Sequence, residues 1–145
     1  MIISTITKRG FTLIELLVVI SIVALLSSVV LSSLNAARTK AGDAAVKAAM
    51  KQMLVQAQNY LDTNNLTSFG TASNCTSGLF AETRFAQQIA NVASNDAAGS
   101  SMTCYSSGNN WALSVSALKS GGSWCVDNNQ GWFKAGTAQS TGLCQ

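Results

Sequence analysis

One acidic side chain, Glu15, interrupts an apolar run that is long enough to cross a membrane. The run extends over 24 residues from Phe11 to Leu34, and no other charge lies between Arg9 and Arg38. About 20 consecutive apolar residues span a bilayer as a helix. A charge inside such a segment is costly, so it usually has a partner and a function. The chemistry that Glu15 offers is therefore that of a buried ion pair.

Catalytic chemistry has few candidate residues in this chain. The sequence contains no histidine, and its six acidic residues are scattered. Ser-His and Cys-His nucleophilic pairs are therefore excluded, and we expect neither enzyme activity nor a cofactor. The loop Asp127-Asn128-Asn129 has the oxygen-rich composition of some calcium sites. Because a single carboxylate provides too few charged ligands for a typical Ca²⁺ site, we favour a β-turn there. Calcium near Asp127 remains a weaker alternative.

All four cysteines, Cys75, Cys104, Cys125 and Cys144, lie beyond the apolar run. There is no C-x-x-C pair and no histidine, which argues against a zinc site. An even number of cysteines in an exported domain favours two disulfides formed in an oxidising compartment. Three connectivities are possible on this ground alone.

The residues around the charge resemble the cleavage and methylation signal of type IV prepilins and of type II secretion pseudopilins. The resemblance covers roughly residues 5–35 closely. It rests on a basic pair, Gly10, Phe11, a glutamate four residues later and an uninterrupted apolar helix. In that family a membrane-embedded prepilin peptidase cuts after the glycine and methylates the new amine. The resemblance thus implies cleavage between Gly10 and Phe11 and N-methylation of Phe11.

Cleavage would supply a partner for Glu15, because the free amine of Phe11 is a cation. In a staggered bundle, Glu15 of an incoming subunit can pair with the Phe11 amine of a seated subunit, which offsets carboxylate burial and sets the axial register. Two alternatives remain. Glu15 can lie at shallow depth in an ordinary anchor, or the run can be a secretory signal peptide cut near residues 30–32. The early charge and the length of the run argue against a signal peptide.

The pattern predicts an α+β fold of the pilin type, in which a long helix packs on a small antiparallel sheet. Apolar residues at three- and four-residue spacings predict one helix from Phe11 to Asp62, with Asp43, Lys47 and Lys51 on its other side. Many pilins have a glycine within this helix and a proline near its end. This chain has no proline at all, so we expect fewer kinks than in proline-bearing relatives.

The head is predicted to be a short helix followed by strands. Alternation of Trp111, Leu113 and Val115 with residues of the other face is the clearest strand signal. The resemblance also favours the sequential disulfides, because a Cys125–Cys144 link would resemble the C-terminal loop of type IV pilins. The predicted elements are turn-rich chain at 66–78, a helix at about 79–94, an edge strand at 102–105, strands at 111–118, 123–127 and 131–134, and a loop at 136–145.

Loss of a leader would nearly neutralise the chain. Nine basic and six acidic residues give +3, and removal of Lys8 and Arg9 leaves seven against six, or +1. This balance gives no electrostatic case for nucleic-acid binding. Arg38 and Lys40 can meet headgroups or neighbouring subunits, although a solvated face is the simpler interpretation. The predicted organisation is a leader at 1–10, a membrane or filament-core helix at 11–34, the rest of the helix at 35–62, and a disulfide-stapled head at 63–145.

These features predict a structural subunit of a type IV pilus-like extracellular filament. The implied partners are prepilin peptidase, other copies of itself or related pilins, inner-membrane assembly machinery, and the lipid bilayer before assembly. The precursor would cross the bacterial inner membrane once, with its N-terminus in the cytoplasm and its head outside, and the assembled subunit would lie at the cell surface. The alternatives are a type II secretion pseudopilin and a minor or non-polymerising pilin-like module for adhesion or DNA capture.

Overall fold

The structure is a computed structural model that describes residues 10–129 and 135–145. It has the predicted α+β fold, with one antiparallel sheet in the order β1-β2-β3. Residues 1–9 of the predicted leader at 1–10 and the predicted strand at 131–134 lie outside the described residues. The elements are α1 (Leu13–Asn64), a 3-10 turn (Gly78–Ala81), α2 (Thr83–Asn95), β1 (Met102–Ser107), β2 (Asn110–Val115) and β3 (Trp124–Asp127).

The chain divides into two compact units, Met1–Ala37 and Arg38–Gln145, and α1 contributes residues to both. In the first unit the apolar side chains of α1 are exposed on every side. Leu13, for example, is 80% exposed and Val19 is 56% exposed. The most apolar 18-residue window has a mean hydropathy of 2.7, so this helix can cross a membrane by length and composition. A helix that is apolar all round requires an apolar environment.

Helix α1 ends two residues later than predicted, at a cap that its sequence specifies. Asn65 has a positive φ of 51°, the left-handed conformation that asparagine tolerates. The Leu66 amide donates to the Leu61 carbonyl at 2.9 Å, and the Asn65 amide donates to the Asp62 carbonyl at 3.4 Å. These two bonds form a Schellman motif, which satisfies the last carbonyls and stops the helix.

The second unit has its core on the predicted stripe of α1. Val46, Met50 and Met53 are fully buried against the sheet and α2, as the spacing predicts. The prediction for Asp43 is wrong, because this residue is only 6% exposed rather than solvated. Asp43 lies three residues before Val46 and therefore shares the face of the stripe. It is buried because backbone amides from a distant loop approach its carboxylate.

The predicted helix at 79–94 is in fact two elements. A 3-10 turn, Gly78–Ala81, is followed by α2, Thr83–Asn95. Glu82 separates them in a non-helical conformation, and its Oε2 atom accepts hydrogen bonds from the amides of Arg84 at 2.9 Å and Phe85 at 3.0 Å. A carboxylate that caps the N-terminus satisfies amides that have no partner within the helix, which explains the break.

Aromatic rings join these elements to the sheet. The rings of Phe80 and Phe85 meet edge to face at 5.5 Å, and those of Phe85 and Trp111 meet at 5.3 Å. All three side chains are fully buried. Such contacts add about 0.5–1.5 kcal/mol each beyond burial of area. The turn before α2 is thereby linked, through Phe85, to the start of β2.

Strand β2 is buried on both faces, which the predicted alternation did not anticipate. Trp111, Leu113 and Val115 belong to the main core, whereas Ala112 belongs to a second cluster with Cys125, Ala138 and Cys144. The strand also ends at Val115 rather than at residue 118. Beyond the strand the chain forms a tight turn, in which the Leu118 amide donates to the Gly122 carbonyl and the Gly121 amide donates to the Leu118 carbonyl, each at 2.9 Å.

The C-terminal residues cover the outer face of the sheet. Thr137 and Gln145 exchange two backbone hydrogen bonds, of 2.7 and 3.0 Å, so this segment pairs with itself. The Ala138 amide donates to Ser114 Oγ at 2.9 Å, and the Cys144 amide donates to Asp127 Oδ2 at 2.8 Å. The predicted loop at 136–145 is thus an ordered layer of the head.

Candidate functional site

The candidate site is the start of α1, where Glu15 meets Thr12. The Thr12 amide donates to Glu15 Oε2 at 2.8 Å, and the Thr12 hydroxyl donates to the same oxygen at 2.7 Å. In return, the Glu15 amide donates to Thr12 Oγ1 at 3.3 Å. This reciprocal arrangement is a capping box, in which Thr12 precedes the helix and Glu15 is its third residue. Glu15 therefore has a role in its own chain.

The capping box was missed in the sequence interpretation, although its signal is present. Thr12-Leu13-Ile14-Glu15 has the S/T-x-x-E pattern directly before an apolar run. The pattern explains why α1 begins at Leu13 rather than at Phe11. Glu15 is thus a helix cap as well as a charge in the apolar run.

The proposed cleavage site lies in non-helical chain just before this cap. Gly10 and Phe11 precede α1, and the Phe11 side chain is 93% exposed. A Cβ atom added at Gly10 would meet no atom within 4 Å. The Gly10–Phe11 bond therefore lies in exposed, non-helical backbone.

The Glu15 carboxylate retains capacity for another donor. Both bonds from Thr12 reach Oε2, and within the described residues Oε1 accepts no hydrogen bond and no cation pairs with the side chain. A carboxylate offers about four lone-pair positions. Glu15 can therefore cap its own helix and accept an amine from elsewhere at the same time.

The structure contains both disulfides that the resemblance favours. Cys75 is joined to Cys104 and Cys125 to Cys144, and the described chain has no free cysteine. The first link ties the turn-rich segment to β1, and the second ties the C-terminal layer to β3. The four cysteines are thus structural members of the head and lie outside the α1 site.

The carboxylate of Asp127, the residue of the weaker calcium alternative, is directed at backbone amides. Its side chain is 1% exposed; Oδ1 accepts from the Asn129 amide at 3.2 Å and Oδ2 from the Cys144 amide at 2.8 Å. The described residues contain no group of three His, Cys, Asp or Glu side chains that could hold a metal ion. The Asn129 contact is that of an Asx turn.

The charged residues of the second half of α1 serve different purposes. Arg38, Lys40 and Lys51 are exposed. Lys47 is half-buried, and its Nζ atom lies 4.1 Å from the centroid of the Trp124 ring, a cation–π contact. Burial raises the pKa of Asp43, but hydrogen bonds from Ser120 and Lys119 and the charge of Lys47 outweigh it, so the pKa lies below its usual value.

Comparison with known proteins identifies the start of α1 as a recognised motif. The family profile of the prokaryotic N-terminal methylation motif matches residues 7–31. The type IV wide pilus major component PilA4 of Thermus thermophilus is 44% identical to this chain over 61 residues, which are 41% of this chain and 47% of that protein. The chain therefore spans about half the length of this relative. No solved structure matches the chain. The motif and the similarity together support assignment of the chain to the type IV pilin family, taken broadly to include the pseudopilins of type II secretion.

Proposed function

We propose that this pilin is a structural subunit of a type IV pilus-like extracellular filament. Prepilin peptidase would cut the precursor between Gly10 and Phe11 and methylate the Phe11 amine, and the mature subunits would then polymerise through α1. The observation that carries the proposal is a carboxylate at the start of a helix whose apolar side chains are exposed on all sides; its Oε1 atom accepts no hydrogen bond from the described residues. A bundle of such helices would shield the apolar surface.

This geometry supports a pairing of Glu15 with the amine of a neighbouring subunit. In an apolar bundle the capping bonds from Thr12 only partly compensate for the loss of water around a charge. The amine of Phe11 in an adjacent subunit would complete the compensation through Oε1. A wrong axial offset would leave both charges buried and unpaired, so the pair would select one register.

The decisive experiment separates the charge of Glu15 from its role as a cap. Glu15→Gln keeps an oxygen that can accept from the Thr12 amide but removes the charge. We expect Glu15→Gln to be cleaved and to accumulate in the membrane, but to form few or no filaments. Loss of a buried pair would weaken association by a factor of about 100 or more per subunit. Glu15→Val, which loses both roles, should fail equally.

A matched control tests the effect of replacing another polar residue of the same apolar run. Ser21 bonds only to the Leu17 carbonyl of its own helix, at 2.8 Å, so Ser21→Val should leave filament formation unchanged. Sheared surface fractions would be compared by immunoblot and electron microscopy, in cells with no second pilin that supplies the carboxylate. Wild-type filament levels from Glu15→Gln, together with failure of Glu15→Val, would show that the cap matters and the ion pair does not.

Processing is tested separately by intact mass and N-terminal peptide analysis. We expect the mature chain to begin at Phe11 and to carry one methyl group on its amine. A mature chain that begins near residue 33, or that retains Met1, would contradict the assignment and favour the signal-peptide alternative.

Two other functions are consistent with membership of the family. A type II secretion pseudopilin would carry the same N-terminal motif, and a minor pilin-like module would present the head without forming the bulk of a filament. The two disulfides of the head and the C-terminal layer held by one of them support the pilus over the pseudopilus. Electron microscopy of cells that lack this chain, and the abundance of the subunit in sheared filaments, would distinguish the three.

A further inference from the structure

The head contains a cleft with an unusual lining. A cavity of about 200 Å³ lies between the last turns of α1, from Gln56 to Asn64, and the start of α2 at Glu82 and Arg84. All the residues that line this polar cleft carry polar groups, and no aliphatic side chain is among them. Most small-molecule pockets are predominantly apolar, with a few polar groups for orientation. The polar cleft is therefore unsuited to an apolar ligand.

The polar groups that face the cleft make few bonds to one another. Within the residues that the structure describes, the side chains of Asn59, Tyr60 and Thr63 have no hydrogen-bond partner, and neither does the guanidinium of Arg84. Glu82 uses Oε2 to cap α2, which leaves its Oε1 atom without a protein donor. Donors and acceptors thus stand on both walls without being paired across the gap.

The composition of these walls indicates the class of ligand. One carboxylate and one guanidinium leave the cleft with no net charge, so neither an anion nor a cation is favoured. The amides and hydroxyls both donate and accept, which suits a ligand whose own groups do the same. The half-buried ring of Tyr60 adds an apolar surface beside them. A sugar ring, with hydroxyls at its edge and C–H groups on its face, has this combination.

We propose that the polar cleft binds one neutral sugar residue, as the free sugar or as the end of a glycan. The cavity is smaller than the roughly 300–1,000 Å³ of sites for drug-sized ligands, so it holds one ring rather than a longer chain. A ligand of this size that binds with ordinary efficiency has a Kd on the order of 1 mM. Many copies of such a site along a polymer would raise the avidity for a surface that carries many sugars.

The test uses the full chain in detergent micelles and saturation-transfer NMR, so it does not depend on filament formation. The probes are the methyl glycosides of glucose, galactose, mannose and N-acetylglucosamine, together with methyl glucuronide and methyl glucosaminide as charged counterparts. We expect saturable binding of at least one neutral glycoside, with a Kd on the order of 1 mM, and weaker binding of both charged probes.

Variants on the two helices that form the walls locate the site. Asn59→Ala combined with Arg84→Ala should weaken binding at least about tenfold, because it removes donors from both walls. Gln58→Ala is the matched control: Gln58 neighbours Asn59 but lies outside the cleft, with its amide 3.5 Å from Asp62. Asn59 and Arg84 are exposed, so the fold should tolerate their replacement.

Any one of three results would overturn the proposal. It is wrong if no neutral glycoside gives a saturable signal, or if a charged probe binds more tightly than its neutral counterpart. It is also wrong if the double variant binds like Gln58→Ala. Immobilised glycans that carry the same terminal sugar would distinguish the two sources of the ligand: an avidity gain for sheared filaments favours a glycan, and its absence favours the free sugar.

Discussion

Removal of the Asp43 carboxylate should loosen the head, because this side chain holds a distant loop against α1. Its Oδ1 atom accepts from the Lys119 amide at 2.8 Å, and its Oδ2 atom accepts from the Ser120 amide at 3.1 Å. Residues 119 and 120 lie between β2 and β3, 76 and 77 positions further along the chain. Asp43→Ala would leave both amides without their acceptor.

The magnitude follows from the two bonds and their exposure. A buried donor left without a partner costs about 1–3 kcal/mol. Lys119 and Ser120 are exposed residues whose amides water can reach, so the lower end of this range applies to each. We therefore expect Asp43→Ala to reduce the free energy of unfolding by about 2–3 kcal/mol. Asp43→Asn keeps one acceptor oxygen and should cost about half as much.

The same contacts make the stability of the head dependent on pH. The pKa of Asp43 is lower in the folded protein than its usual value, so the folded state binds this proton less tightly than the unfolded state does. The stabilisation is therefore fully present above the usual aspartate pKa of about 3.9 and is lost as the pH falls through the lower folded-state pKa. The difference between wild type and Asp43→Asn should shrink over this acidic window.

Urea unfolding of the full chain in micelles, followed by tryptophan fluorescence, measures these differences, because Trp111 is fully buried in the core. Asp62→Asn is the control on the same helix, since Asp62 is exposed and its contact with the Gln58 amide is 3.5 Å long. That variant should change the free energy by less than about 0.5 kcal/mol. If Asp43→Ala were no less stable than Asp62→Asn, the loop would be held by other contacts and the reasoning would fail.

Three other substitutions test the remaining parts of the chain. Replacement of both Cys125 and Cys144 by serine should lower the free energy of unfolding by about 3 kcal/mol in the same assay, because it opens a loop of about 20 residues; an unchanged urea midpoint would show that the C-terminal layer needs no covalent link. Gly42→Val should cost about 1–3 kcal/mol, since a Cβ atom at Gly42 would already lie 3.2 Å from the Asn95 carbonyl oxygen, and a variant as stable as wild type would show that α2 can yield. Glu15→Asp should give fewer filaments than wild type but more than Glu15→Gln, as counted in sheared fractions, because its charge remains on a shorter side chain; equal numbers from the two variants would argue against a role for charge alone.

Local patterns were enough to predict α1. The apolar run, the absence of proline and the position of Glu15 depend on neighbours within a few turns, and helices form from such neighbours. The same is true of the helix end, where the asparagine at residue 65 adopts the left-handed conformation that closes a Schellman motif. The capping box of Thr12 and Glu15 was equally readable from the S/T-x-x-E pattern.

Only the tertiary structure decided how the head is layered and which polar residues are buried. Ala112 is covered because the last ten residues fold back over the sheet, so β2 loses the alternation between core and solvent that sequence patterns assume. Asp43 is buried because amides 76 and 77 residues away need an acceptor. The rings of Phe80 and Phe85 link the turn before Glu82 to Trp111 of β2. Contacts between residues so far apart in the sequence arise from chain topology, which the spacing of residues along one helix or strand does not encode.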